Sequence, residues 1–250
     1  MPNSTPADLI RQHEPEAVAA RLKHNRSPPM ASDAVLGAID GCITTFAIVT
    51  GSVGAGFPTD VSLILGTANL LADGLSMAVS NYESIKAYNE FVAAMRREEE
   101  RHIELVPEGE REEIRQIFAG KGFTDAALEH IVATITADRR LWVETMLAEE
   151  HGLHREHPSP IKSGAVTFAA FVLIGMIPLL PLLITPLGMP LQLYASVALA
   201  GLVFFAIGSL KSLFFGRPAI RSGLTTLLTG GSAAVLAYIV GDLLRSALGA

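Results

Sequence analysis

The residues with the widest chemical reach in this sequence are carboxylates, an amide, an imidazole and thioethers set at helical spacing. In LGAIDGCITTFAIVTG, Asp40 stands among apolar and small residues. A carboxylate well inside an apolar helix costs about 2.5 to 3.5 kcal/mol on insertion scales, so it needs a partner or a hydrated cavity. Asp40, Thr44, Ala47 and Gly51 share one helical face, narrow enough for another helix or a hydrated ion to approach. An aspartate near a helix end that only caps or snorkels is the structural alternative. In NLLADGLSMAVSNY, Asn69, Asp73 and Met77 form one stripe of amide, carboxylate and thioether, flanked by Ser76 and Ser80. Oxygen donors with one soft sulfur suit a borderline ion such as Fe²⁺ better than Mg²⁺ or Ca²⁺. A polar contact between helices, with Met77 filling a gap, accounts for the same stripe structurally.

A third set lies in REEERHIELVPEGEREEIRQIF. Glu99 and His102 share one helical face, Glu110 and Glu113 share another, and Met146 pairs with Glu150 further on. Three helices carrying these pairs can converge on one or more ions. A Glu/Arg-rich helix is equally read as a solvated face laced with intrahelical ion pairs. Glu99 and His102 also match the Glu-x-x-His spacing of ferritin-like di-iron bundles, which need two such motifs. The residues three before His130, His151, His154 and His157 are Ala127, Ala148, His151 and His154, so no second motif exists and the oxidase reading falls. No P-loop, nucleotide-binding glycine pattern or serine elbow is present, which leaves neither ATP-driven transport nor an enzyme any support.

The elements that carry these residues follow from hydropathy. Half of the 250 residues are apolar and 18% are charged, against roughly 25% in soluble domains. Five stretches are long enough to cross about 30 Å of hydrocarbon: 35–57, 61–82, 163–184, 191–215 and 223–248. Pro58, Pro186 with Pro190, and Arg217 with Pro218 mark turns. The sequence therefore predicts an all-α integral membrane protein with five transmembrane helices and a three-helix insert between spans two and three. Its parts are an N-terminal arm (1–33), spans one and two (34–82), the acidic insert (83–160), which closes on the linker HPSPIKS, and spans three to five (161–250). From 81 to 105 there is no Gly or Pro, so span two is expected to continue into the insert. A second insert helix is expected at 108–119, and a third from an N-cap at Thr124 to Gly152.

Charge is segregated. Seventeen of the 25 acidic residues lie between Glu83 and Glu156, and one, Asp242, lies from Ile161 onward. With a net charge of -6 and no basic stripe, nucleic acid is excluded as a partner and a cation is favoured. The single cysteine, Cys42, excludes a disulfide framework or a cysteine metal cluster. The first 30 residues lack the apolar core of a cleavable signal. Arg11, Arg21, Lys23 and Arg26, ten basic residues in the insert, and Lys211, Arg217 and Arg221 fall on one side; the loops around Pro58 and Pro186 carry none. The positive-inside rule then puts the N-terminus and the insert in the cytosol and the C-terminus opposite, across the inner membrane if the cell is bacterial.

Taken together, DGCITTFAIVTGSVGAG, NLLADGLSMAVSNY, VPEGEREEIRQIF and a helix ending EEHGL resemble the vacuolar iron transporter family over about residues 33–245. The resemblance implies a five-span homodimer in lipid that moves Fe²⁺, sometimes Mn²⁺, out of the cytosol in exchange for protons. It implies that Asp40 and Met77 line a pathway at the dimer interface, with Asp73 in the same motif. It also implies that Glu99, Glu110, Glu113, Glu150 and Met146 bind metal in a cytosolic domain. Three positions depart from the pattern: His102 and Asn69 replace glutamates, and Leu147 stands where a second methionine often follows. With Asn69 in the membrane, proton coupling must lean on Asp40 or Asp73. The donor set admits Fe²⁺, Mn²⁺, Co²⁺ and Zn²⁺ alike. A membrane-anchored metal sensor or buffer, or an acidic docking scaffold for a basic protein surface, are the competing classes.

Overall fold

The computed structural model describes residues 5–23, 29–153, 159–184, 188–215 and 218–249, and among these the regular structure is helical, with no strand. In chain order the helices are α1 (Pro6–Gln12), α2 (Pro15–Lys23), α3 (Pro29–Gly54), α4 (Thr59–Leu105), α5 (Pro107–Gly120), α6 (Asp125–Thr136), α7 (Arg139–Glu149) and α8 (Pro160–Gly175). A 3-10 helix (Ile177–Leu183), α9 (Met189–Phe215) and α10 (Ala219–Leu248) complete the order. The chain divides into two compact units, Met1–Tyr82 with Pro160–Ala250, and Glu83–Ser159, and the division falls within α4. Five helices are long and apolar enough to cross a membrane: Met30–Gly54, Thr59–Leu105, Pro160–Leu183, Pro190–Ser212 and Ala219–Leu248.

Several boundaries differ from the sequence expectation for physical reasons. Span one begins near Pro29 rather than at 35, because proline is well tolerated in a first helical turn. The third span is not one α-helix. It runs to Gly175 and then tightens into the 3-10 segment, where Pro178 and Pro181 lack the N–H groups that an α-helix would use. The carbonyl of Pro178 takes instead the hydroxyl of Ser196, at 2.7 Å. The turns expected around Pro186 and Arg217 and most of the linker before Pro160 lie outside the described residues.

In the membrane unit, α3 is the central helix, and glycine sets its contacts. Gly37 and Gly41 lie directly against the backbone of α8 at Thr167 and Phe171. Gly51 and Gly54 face α10 at Ala237 and Tyr238, and Gly241 of α10 returns the contact at Gly51. Small residues three or four apart allow such close approach without a hydrophobic drive, as in other membrane helix pairs. A Cβ on Gly175 would come within 2.6 Å of the Gly41 carbonyl oxygen, so the α3–α8 crossing has no room for alanine there. Cys42, Phe46, Ala200, Phe204 and Ala234 fill the space between α3, α9 and α10. Thr50 donates to the Ala234 carbonyl at 3.1 Å, a hydrogen bond that ties α3 to α10.

The insert unit has its own core of Val92, Ile103, Ile114, Val132, Ile135, Trp142, Val143, Met146, Leu147 and Leu153. Its last expected helix is in fact two. Asp138 accepts hydrogen bonds from the amides of Arg140 and Leu141 and starts α7 afresh, which breaks the run after Thr136. Thr124 does stand at the start of α6, but its side chain makes no capping bond. α5 begins with Pro107 at its first position and has Glu108 and Glu110 in its first turn, where carboxylates suit the positive end of the helix.

Candidate functional site

The C-terminal part of α4 carries Glu99 and His102 one turn apart, and the restart at Pro107 brings Glu110 of α5 back to them. His102 Nδ1 lies 3.5 Å from Glu110 Oε1. On the other side of Glu99, His151 Nε2 lies 3.0 Å from Glu99 Oε1 and 3.8 Å from Glu150 Oε2. Two triads result, Glu99–His102–Glu110 and Glu99–Glu150–His151, each with ligand atoms within 4.8 Å of one another. Glu99 belongs to both.

Burial makes this arrangement costly unless something compensates it. Glu99 is 2% exposed and Glu110 is 4% exposed, and the Oε2 atom of each is buried with no hydrogen-bond partner among the described residues. Unpartnered buried carboxylate oxygens are expensive, and a divalent cation would supply what they lack. Burial, then repulsion from Glu113 and Glu99, pushes the Glu110 carboxyl up to about 7. Burial also raises Glu150, and the hydrogen bond that His151 donates to Glu99 raises His151. Carboxyls raised in this way, Glu110 first among them, would give up their protons on binding a cation.

Of the residues singled out from sequence, Glu99, His102, Glu110 and Glu150 converge. Glu113 is exposed and outside both triads, although it acts electrostatically on Glu110. Met146 is fully buried in the insert core. His151 was not predicted as a ligand. Its signal was its place beside Glu150 and just before Gly152, whose φ of +66° is a conformation that favours glycine and turns the chain at the end of α7.

In the membrane unit Asp40 is half-buried on α3, and the Asp73 carboxylate of α4 is near enough to act on it electrostatically. Asp73 itself is exposed on the single chain. Asn69 buries its Nδ2 with no partner among the described residues. Met77 packs against the cluster of Val49, Leu70, Phe171, Leu179 and Leu182. The Thr44 hydroxyl turns back to the Asp40 carbonyl at 2.9 Å, and Gly51 faces α10, so only Asp40 itself on the predicted α3 face offers a free carboxylate. Sequence reasoning also missed Asp33. It is buried on α3, accepts from Asn81 Nδ2 at 3.1 Å and leaves Oδ2 without a partner among the described residues. Asn81 also donates to Thr167 at 2.8 Å, which joins α3, α4 and α8.

The profile of the VIT family matches residues 31–242, a stretch that contains every one of these side chains. The chain belongs to the VIT family. Among VIT relatives, the vacuolar iron transporter of Toxoplasma gondii is 34% identical over 235 residues, covering 90% of this chain and 78% of that protein. The vacuolar iron transporter of Plasmodium berghei is 33% identical over 221 residues, 85% of this chain and 81% of that one. Vacuolar iron transporter 1 of Arabidopsis thaliana is 29% identical over 224 residues, with 89% of each chain covered. VIT membership and five long apolar helices make this a multi-pass membrane protein.

Proposed function

We propose that this VIT chain moves ferrous iron, and Mn²⁺ as a second cargo, out of the cytosol in exchange for protons. The observation that carries the reading is the pair of neighbouring carboxylates, Asp40 and Asp73, on helices long and apolar enough to span a bilayer. Intramembrane carboxylates are expensive and mark ion or proton pathways, and relatives are named vacuolar iron transporters. In this mechanism Glu99, His102, Glu110, Glu150 and His151 collect the cation on the cytosolic side, with Glu113 acting electrostatically on Glu110 and Met146 packed in the core of the insert. Asn69, Asp73 and Met77 line its route with Asp40. Protonation of Asp40 or Asp73 on the far side then weakens the carboxylate's hold and favours release.

The reading includes a homodimer, which the same face of α4 supports. Asp73 is exposed on the single chain beside the exposed Leu71 and Leu75. An aspartate left against lipid is unfavourable, and a second copy would cover it. The alternative is a membrane-anchored sensor or buffer, which the buried triads of the insert favour by themselves. Liposomes reconstituted with the protein separate the two. Uptake of Fe²⁺, compared with Mn²⁺, Co²⁺ and Zn²⁺, is expected to rise with an imposed proton gradient; binding without uptake under every gradient means a buffer.

A further inference from the structure

Another polar site, with no residue in common with those above, lies where α9 ends and α10 begins. A cavity of about 930 Å³ opens there, lined by Lys211, Ser212, Arg221, Ser222, Thr225 and Thr226. Its walls are fixed by close packing: Gly208 of α9 lies against the Ser222 carbonyl, and Gly223 of α10 against Phe205 and Ser209. Ser209 also donates to the Ala219 carbonyl at 3.3 Å. The opening is therefore bounded by two helices locked to each other.

The chemistry of the wall selects the ligand. The hydroxyls of Ser212, Thr225 and Thr226 donate to the carbonyls of Ser209, Arg221 and Ser222, at 2.6, 2.9 and 3.2 Å. Those three oxygens thus remain as acceptors, the Ser222 hydroxyl can donate or accept, and the charged donors left in the cavity are the Lys211 ammonium and the Arg221 guanidinium. Neither cation has an ion-pair partner among the described residues. The sequence accounts for this. Asp242 is the sole acidic residue from Ile161 onward, and it lies about 30 Å further along α10 from Arg221. Arg221 also sits in the first turn of α10, where the helix end is itself positive, so the local charge is left unbalanced.

A ligand that complements this wall has an anionic group for two cations and hydroxyl donors for the threonine and serine oxygens. The cavity is near the top of the roughly 300 to 1,000 Å³ range of small-molecule sites, so a bare phosphate would fill little of it. Basic pockets between membrane helices at their charged ends recognise phosphate headgroups. We propose that this cavity binds the phosphate of an anionic phospholipid with a hydroxylated headgroup, held by Lys211 and Arg221.

The test is native mass spectrometry of the full chain in detergent, titrated in turn with phosphatidylglycerol, phosphatidylcholine and inorganic phosphate. Phosphatidylglycerol is expected to bind in preference to phosphatidylcholine. The double variant Lys211→Gln/Arg221→Gln should lower its apparent affinity about tenfold or more. The charge-conserving pair Lys211→Arg/Arg221→Lys should stay within about threefold of the parent, and Lys162→Gln, an exposed cation outside the cavity, should match it. If the double variant does not remain monodisperse, the single variants Lys211→Gln and Arg221→Gln, each expected to lose about threefold, decide the matter. Binding of inorganic phosphate as tight as that of lipid, and lost in the same variants, supports the phosphate site and makes soluble phosphate its source. An unchanged affinity in the glutamine variants, or an equal loss in Lys162→Gln, overturns the proposal.

Discussion

The insert and the membrane unit solve the problem of placing carboxylates in opposite ways. In the insert, Glu99 and Glu110 are buried inside one folded unit, beside His102 and His151, and the donors converge without help from outside the chain. In the membrane unit, Asp40 is half-buried and Met77 is largely committed to packing, while Asp73 is exposed, so the carboxylate of the stripe faces a surface that the single chain leaves open. The first arrangement suits holding an ion. The second suits passing one, because a cation bound by few ligands along an open stripe can leave. On the proposed reading storage and passage would fall in separate places, and substitutions should separate them as well.

The largest effect is expected from Asp40→Asn, which removes the half-buried Asp40 carboxylate from the central helix and keeps its shape. Fe²⁺ uptake into liposomes should drop at least about tenfold, while Co²⁺ binding to the insert, measured by calorimetry on the full chain, stays as before. Glu99→Gln is the reciprocal experiment. Because both triads share Glu99, Co²⁺ affinity at the insert should fall by about 10- to 100-fold, the range seen even for groups that merely support metal ligands. Loss of binding in Asp40→Asn as large as in Glu99→Gln would erase the distinction.

A smaller effect comes from pH. Burial and the neighbouring carboxylates push the Glu110 carboxyl up to about 7, from an ordinary 4.5, so metal binding there would be coupled to loss of a proton. Metal affinity at the insert should therefore decline as pH falls through 7, by up to about tenfold per unit below it. The sign for stability is the reverse. A raised carboxyl stabilises the metal-free fold below about pH 4.5 and loses that contribution as pH rises through about 7, so the metal-free insert should melt at lower temperature at pH 8 than at pH 6. The smallest change is expected for Glu113→Gln. This residue is exposed and outside both triads, so affinity should move by less than about threefold, slightly upward at low pH where relief of repulsion lets Glu110 ionise.

How much of this was legible beforehand depends on the range of the interactions involved. The five spans were readable because hydropathy sums over about twenty residues, and α4 was readable because 81–105 contains neither Gly nor Pro. The break between α6 and α7 was not, since Ala137 and Asp138 carry no strong helix-stopping signal until the Asp138 side chain is seen to cap the next turn. Pro178 and Pro181 carry the cause of the 3-10 segment, but a hydropathy reading of 163–184 as one span runs straight through them. Among the site residues, pairs one turn apart on a helix were visible as Glu99 with His102. The partners brought in by tertiary folding, His151 to Glu99 and Asp33 to Asn81, have sequence separations of 52 and 48 residues and left no periodic trace.

The most direct test of passage through the membrane unit is Fe²⁺ flux into liposomes under an imposed proton gradient, with the parent protein and Asp40→Asn compared at equal protein loading. Gradient-dependent uptake by the parent and a loss of at least about tenfold in the variant, with insert binding intact, is the predicted result. Equal flux in the two proteins would contradict it.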